Sequence, residues 1–357
     1  MKKWVMCLLG IGLCAPLMCA SDTWTDISAD NPDIMYMGRI HWSDAGTPSF
    51  TYPGTTAMLN FRGTGIAMSA KPGSGKFMVE IDGGEPVKIN FAPADSMIVI
   101  SDCLRDTLHN VRITYAVEGY GFRPEIRGFA LQGILENAPV RPKLKMEFIG
   151  NSITCGYGTE EDDPHKGFSF DTENHTLSYA YLTARALDAD FNVVARSGIG
   201  MYRNYNGPKE GSPNVMPAEY DYTLLYDHDK KWNFSSFQPD IVCINLGTND
   251  LSTNNYDLAL YESAYRNFLD KLYALYPDAT VVLLTGSMLS GSQLDEVKGV
   301  LDRLAAENPG RCLRFDMSPQ TGELGFGADW HPSRRQAEKM AGELTQFLKT
   351  VIANKRL

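Results

Sequence analysis

From Lys145 onward the chain alternates two patterns that few architectures satisfy together. "KMEFIG", "NVVARS", "DIVCINLG", "TVVLLTG" and "CLRFDM" are short, predominantly apolar runs. A strand apolar on both sides must be covered on both sides, which is the situation inside a parallel sheet. Between these runs, Tyr261, Ala264, Tyr265, Phe268, Leu269 and Leu272 recur at i, i+3, i+4 spacing, the stripe of an amphipathic helix. Residues 334–352 read as a second such helix. The combination predicts an α/β domain with helices on both faces of a parallel sheet.

The preceding stretch keeps a different period. In "KFMVEIDGGEPVKINF", Phe77, Val79 and Ile81 share one face, a turn follows at residues 82–85, and Val87, Ile89 and Phe91 resume the alternation. "NVRITYAV" repeats it with Val111, Ile113, Tyr115 and Val117. Alternating strands with Gly- and Pro-rich turns and no helical stretch predict an all-β sandwich of jelly-roll type. "ENAPVRPKLK" carries two prolines and no periodicity, so the domain boundary is placed there: residues 21–140 for the sandwich, 141–357 for the α/β domain. Two medium domains suit a chain of 357 residues.

Residues 1–20 differ from all that follows. Lys2 and Lys3 precede an apolar run from Trp4 to Met18 closed by "LMCA", the pattern of an export signal. The run is too short to span a bilayer comfortably, so the mature chain is expected to be secreted or periplasmic, without a transmembrane span. Cys14 and Cys19 raise a lipid anchor as an alternative, although neither follows the small residue that anchoring requires. The remaining cysteines, Cys103, Cys155, Cys243 and Cys312, form no C-x-x-C pair and are expected as free buried thiols. A formal charge of −10 with no basic tract argues against a nucleic-acid partner.

Ligands of an open α/β sheet bind at the carboxyl ends of its strands. There the sequence places "GNSITCGYG" with Ser152, "SGIGMYRNY" with Gly198 and Gly200, and "GTNDLS" with Asn249; "GADWHPS" with Asp329 and His331 precedes the last helix. Taken singly these have plain structural readings: Ser152 as a helix cap, the glycines as backbone necessities, Asn249 with Asp250 as another cap, and Asp329, His331 and Pro332 as a helix entrance. Taken in order they supply an acyl-transfer site. A serine hydroxyl needs a base, and His331 is the one of six histidines in such a context. The oxyanion of the tetrahedral intermediate needs donors, which the backbone N–H groups of Ser152 and Gly200 and the amide of Asn249 can provide.

These four blocks resemble, in order, those of the SGNH hydrolases, also called GDSL-like esterases. With the sandwich in front, nearly the whole mature chain resembles carbohydrate esterase family 2, in which a jelly-roll-like sandwich precedes a flavodoxin-like SGNH domain. The resemblance implies Ser152 as nucleophile, His331 as general base and acid, and Ser152, Gly200 and Asn249 as the oxyanion hole, with Gly200 preferred to Gly198. Two departures stand out. Asn151 occupies a position where most relatives carry Asp, and Asp329 lies two residues before His331, not three. The third catalytic member is therefore Asp329, another carboxylate or a backbone carbonyl. Trp330, Tyr202 and Tyr205 are candidates to wall the cleft and stack on a sugar, or else plain packing residues.

The resulting expectation is an exported serine esterase that removes O-acetyl groups from xylan or glucomannan, with no cofactor and no metal, since no histidine or carboxylate cluster has ligand spacing. The partner is an acetylated polysaccharide or oligosaccharide; the oligomeric state is open. Two alternatives remain at this point: an esterase or acyltransferase acting on envelope glycan or small acyl esters, and a non-catalytic sugar-binding protein.

Overall fold

The computed structural model describes residues 23–355, so the expected export leader and its cysteines lie outside the described residues. The chain divides into two compact units, one built from residues up to Thr51 with Thr55–Arg141, the other from Tyr52–Gly54 with Pro142 onward.

The first unit contains β1 (Thr25–Ser28), β2 (Met35–Met37), β3 (His41–Trp42), β4 (Pro48–Ser49), β5 (Thr56–Ala70), β6 (Gly75–Ile81), β7 (Val87–Phe91), β8 (Met97–Ser101), β9 (Thr107–Tyr115) and β10 (Ile126–Glu136). Its main sheet runs β1-β10-β5-β9-β6-β7, antiparallel throughout, with β2 and β8 also paired to β5. The 15-residue β5 is the spine: its first half pairs with β9 and its second with β8. The alternation read from "KFMVEIDGGEPVKINF" is the β6–β7 hairpin, with Phe77 opposite Ile89 and Val79 opposite Val87. Phe77 meets Phe50, Phe91 and Tyr115 edge-on, at 6.3, 5.9 and 5.0 Å between ring centroids. Such edge-to-face contacts add to the burial energy of the rings and fill the sandwich core.

The second unit contains β11 (Lys145–Gly150), α1 (Ser152–Cys155), α2 (Tyr179–Ala186), β12 (Asp190–Ala195), α3 (Met216–Glu219), β13 (Tyr222–Leu224), β14 (Asp227–Lys231), β15 (Ile241–Asn245), α4 (Leu258–Leu275), β16 (Thr280–Thr285), α5 (Gly291–Glu307), β17 (Cys312–Asp316) and α6 (Arg334–Lys355). Its sheet is parallel and ordered β12-β11-β15-β16-β17. Numbered by appearance this is 2-1-3-4-5, the flavodoxin-like order, whose direction reverses beside the first strand.

The expected double-sided burial follows from the register. Val194, Ile149, Ile244 and Leu283 lie abreast on one face and share a core with Tyr261, Phe268 and Leu272 of α4 and Val297 and Leu301 of α5. On the other face Phe148 and Phe191 meet Tyr179 and Tyr181 of α2, which packs against α6. The two helices read from the sequence are α4 and α6; α2 and α5 were not anticipated. Among the described residues no helix is long and apolar enough to cross a membrane. Of the four described cysteines, Cys155, Cys243 and Cys312 are buried, as expected. Cys103 is exposed, because it follows β8 in the polar turn "SDCLRD".

Candidate active site

At the carboxyl end of the central strand β11, Gly150 lies beside Ala195 of β12 and Asn245 of β15. The three loops that leave these strands therefore begin side by side at the point where the strand order reverses, the position at which open α/β sheets bind ligands. Asn151 adopts an extended backbone and its side chain accepts the N–H of Ile153 at 3.1 Å, which makes it the cap of α1. Ser152 is thus the first residue of that helix and not its cap, and its hydroxyl is left for other work. The amide of Asn151 does for this turn what an aspartate would do.

The loop after β12 is shaped by Asp250. Its buried carboxylate accepts the backbone N–H groups of Met201, Tyr202 and Arg203, and its carbonyl accepts from Arg203 Nε at 2.6 Å. Burial pushes the Asp250 carboxyl up to about 6, and the backbone donors pull the other way. Gly200 sits where a side chain has no room: a Cβ there would lie 1.9 Å from the carbonyl oxygen of Arg203 and 2.8 Å from the Asp250 carboxylate. The Gly200 N–H reaches Asn204 Oδ1 at 3.2 Å. Asn249 Nδ2 donates to Ile199 O at 2.8 Å, tying the loop after β15 to the loop after β12 and leaving a second amide proton.

His331 arrives from the far end of the sequence. Its Nε2 lies 2.8 Å from Ser152 Oγ. Its Nδ1 faces two backbone carbonyls, Ala328 at 3.1 Å and Asp329 at 3.2 Å. With Nδ1 donating to carbonyls, the neutral imidazole presents Nε2 as an acceptor to the serine hydroxyl, the arrangement that activates a nucleophile. Burial pulls the His331 imidazole down to about 4, against the opposing pull of the two carbonyls and the Asp329 charge.

Of the three candidates for the third catalytic member, the Asp329 carboxylate, another carboxylate or a backbone carbonyl, the geometry puts backbone carbonyls at Nδ1 and turns the Asp329 carboxylate away. Asp329 has a left-handed backbone, φ 47° and ψ 39°, which sends its carbonyl toward Nδ1 while its carboxylate accepts the hydroxyl of Tyr157. Of the two readings open for Tyr202, packing holds: it is buried, and its hydroxyl accepts the N–H of Asp257 at 2.7 Å. Trp330 and Tyr205 are 48% and 60% exposed. Trp330 meets Phe326 and His165 edge-on, which leaves its outer surface open.

Comparison with known proteins matches this arrangement to two family models. Residues 36–139 match "Carbohydrate esterase 2 N-terminal", and residues 148–355 match the "GDSL-like Lipase/Acylhydrolase family". A family two carbohydrate esterase from Clostridium thermocellum, solved in complex with cellohexaose, superposes with a TM-score of 0.83 at 34% identity, over 90% of this chain and 99% of that one. The chain belongs to carbohydrate esterase family 2. Among curated relatives, this family 2 chain is 35% identical to the cellulase/esterase CelE of Acetivibrio thermocellus over 90% of its own length, and spans 40% of that longer protein. It is 28% identical to an acetylxylan esterase / glucomannan deacetylase of Cellvibrio japonicus, covering 91% of each.

In this family 2 site, reading by motif missed two residues. Asp250 directly follows Asn249 in the loop after β15, and nothing in the sequence separates a helix cap from a carboxylate that grips the backbone of residues 201–203. Tyr157 lies inside the stretch quoted for Ser152, between Gly156 and Gly158, and stacks on His331 at 3.9 Å between ring centroids.

Proposed function

We propose that this family 2 esterase is an exported enzyme that removes O-acetyl groups from plant polysaccharides of the xylan and glucomannan kind, through an acetyl intermediate on Ser152. One observation carries the reading: the 2.8 Å contact between Ser152 Oγ and His331 Nε2, at the carboxyl end of β11. A serine hydroxyl paired with a half-buried neutral imidazole is the starting state for attack on an ester carbonyl.

In this reading His331 Nε2 takes the proton of Ser152 as Oγ bonds to the acetyl carbon. Charge then gathers on the carbonyl oxygen, where the N–H of Ser152, the N–H of Gly200 and the amide of Asn249 receive it. The Gly200 N–H, now at the long end of its contact with Asn204, exchanges a weak acceptor for an anionic one. Collapse breaks the bond to the sugar oxygen, which leaves as a hydroxyl carrying the proton from His331. Water, deprotonated by the same imidazole, attacks the acetyl-serine and releases acetate. The third member of the relay is the pair of carbonyls at Nδ1; the Asp329 carboxylate does not touch the imidazole and acts on it through its charge and through the backbone it belongs to.

The substrate class draws support from relatives, one described as an acetylxylan esterase / glucomannan deacetylase and one solved with cellohexaose. The open face of Trp330, next to His331 in sequence, offers an apolar surface of the kind on which sugar rings pack. The test is release of acetate from acetylated xylan, acetylated glucomannan, acetylated peptidoglycan and an aryl acetate, by wild type and by Ser152→Ala. Wild type should act on the plant glycans, and Ser152→Ala should lose at least about a thousandfold on all. Preference for peptidoglycan or for the aryl ester alone would move the enzyme to another substrate, and an active Ser152→Ala would remove the serine mechanism.

A further inference from the structure

The contacts that hold His331 converge on one tyrosine. The rings of Tyr157 and His331 lie 3.9 Å apart at 19°, stacked face to face. The hydroxyl of Tyr157 donates to Asp329 Oδ2, and Asp329 offers its carbonyl to His331 Nδ1. Tyr157 thus reaches the imidazole twice, directly through its ring and indirectly through the residue whose backbone orients Nδ1.

The backbone at that point needs holding. Asp329 and Trp330 are successive non-glycine residues with φ of 47° and 61°. Side chains disfavour this region, and the conformation persists where surrounding contacts over-determine it. Aspartate is among the residues that tolerate it best, but tryptophan is not. The contacts come from the segment that carries Tyr157. Gly158 O accepts the N–H of Ala328 at 3.2 Å, and Lys166 O accepts the N–H of Asp329 at 2.9 Å.

We propose that Tyr157 is a positioning residue for His331: its hydroxyl pins the Asp329 carboxylate, the pinned carboxylate fixes the left-handed turn, and the turn aims two carbonyls at Nδ1. Nδ1 then keeps the proton, and Nε2 is left as the acceptor for Ser152. The inference rests on the serine–histidine reading above. It gives the Asp329 side chain a task that its spacing from His331 does not suggest, as the tether of a backbone acceptor.

Three variants separate this from a conventional triad. Tyr157→Phe keeps the stack and removes the tether. Asp329→Asn keeps an acceptor and tolerance of the left-handed region but drops the charge, and Asp329→Ala drops all three. The expected result for Tyr157→Phe is a kcat on aryl acetate lower by about tenfold or more, with KM within about twofold, the split that marks a lost transition-state interaction. Asp329→Ala should fall as far, Asp329→Asn less far, and the double variant Tyr157→Phe/Asp329→Ala little below the worse single, because both remove one tether. Nitrogen NMR of His331 should show the Nε2–H tautomer gaining population in Tyr157→Phe and in Asp329→Ala, with circular dichroism unchanged. A Tyr157→Phe enzyme with wild-type kcat and wild-type tautomer overturns the proposal, as does an Asp329→Asn variant that fails as deeply as Asp329→Ala. If Tyr157→Phe does not fold, the Asn-against-Ala comparison at Asp329 decides alone. The tautomer is read without turnover, so activity surviving in Ser152→Ala would overturn the serine reading while leaving this measurement legible.

Discussion

The carboxylate of Asp250 grips the backbone N–H of Met201 with both oxygens, at 2.8 and 2.9 Å. The same carboxylate takes the N–H of Tyr202 at 2.7 Å, so one buried side chain sets the conformation of the loop that begins at Gly200. Asp250→Asn presents an amide donor to backbone donors. The expected cost is about 1–3 kcal/mol of stability, from an NH2 group set against the Met201 N–H and from the lost charge on the bonds that Oδ1 keeps, with a fall in kcat of about tenfold or more. Urea denaturation and steady-state kinetics check both; an unchanged kcat would separate the loop from the chemistry.

Gly200 and Gly198 respond differently to a methyl group. Gly200→Ala drives its Cβ into the carbonyl oxygen of Arg203 and the Asp250 carboxylate, so the loop must move and kcat should collapse. At Gly198 the nearest atom to a Cβ is Tyr205 Cβ at 4.0 Å, and the only penalty is its φ of +76°. Gly198→Ala should therefore lose about 1–2 kcal/mol of stability and keep most of its activity. Equal kinetic damage at both positions would contradict the assignment of Gly200 to the site.

Asn249→Ala tests the oxyanion donor on a side chain. Loss of one such donor lowers kcat by about a hundred- to a thousandfold, with little change in KM. The variant also loses the bond to Ile199 O. Crystal or NMR comparison of the Gly200 loop would show whether that bond accounts for part of the loss. A kcat within threefold of wild type would remove Asn249 from the oxyanion hole.

The pH profile follows from His331. Burial holds its imidazole at about 4, so Nε2 stays free to accept a proton well below the ordinary histidine value of 6.5. The acid limb of kcat/KM is expected near pH 4. A limb near 6 would instead report Asp250. The stability sign is fixed by the same shift: between pH 6.5 and about 4 the unfolded chain binds a proton at this histidine that the folded chain refuses. The contribution of neutral His331 is fully present above 6.5 and is lost as pH falls, at about 1.4 kcal/mol per pH unit. His331→Ala should flatten the stability–pH slope by about one proton in that window.

The sheet was legible because its strands are apolar on both sides, and the site because its blocks follow those strands: Ser152, Gly200 and Asn249 leave β11, β12 and β15 side by side. Helix α5 carries the same signal in sequence, since Leu294, Val297, Val300, Leu301 and Leu304 keep a helical stripe. The orientation of Asp329 was not legible. It depends on two successive left-handed residues, which spacing does not reveal, and on Tyr157, 172 residues away in sequence. The choice between cleft wall and packing at Tyr202 is not legible in sequence, because an aromatic beside a glycine loop looks the same whether its hydroxyl meets solvent or the N–H of Asp257.

The central claim is that Ser152 carries the acetyl group. Wild-type enzyme mixed with excess aryl acetate, quenched in acid within the first turnovers, digested and analysed by mass spectrometry, should yield the peptide containing Ser152 with one acetyl group on that serine. The label should be absent from Ser152→Ala. A wild-type digest without acetyl on Ser152 while acetate is being released, or acetyl on another residue that turns over at the rate of catalysis, would contradict the account.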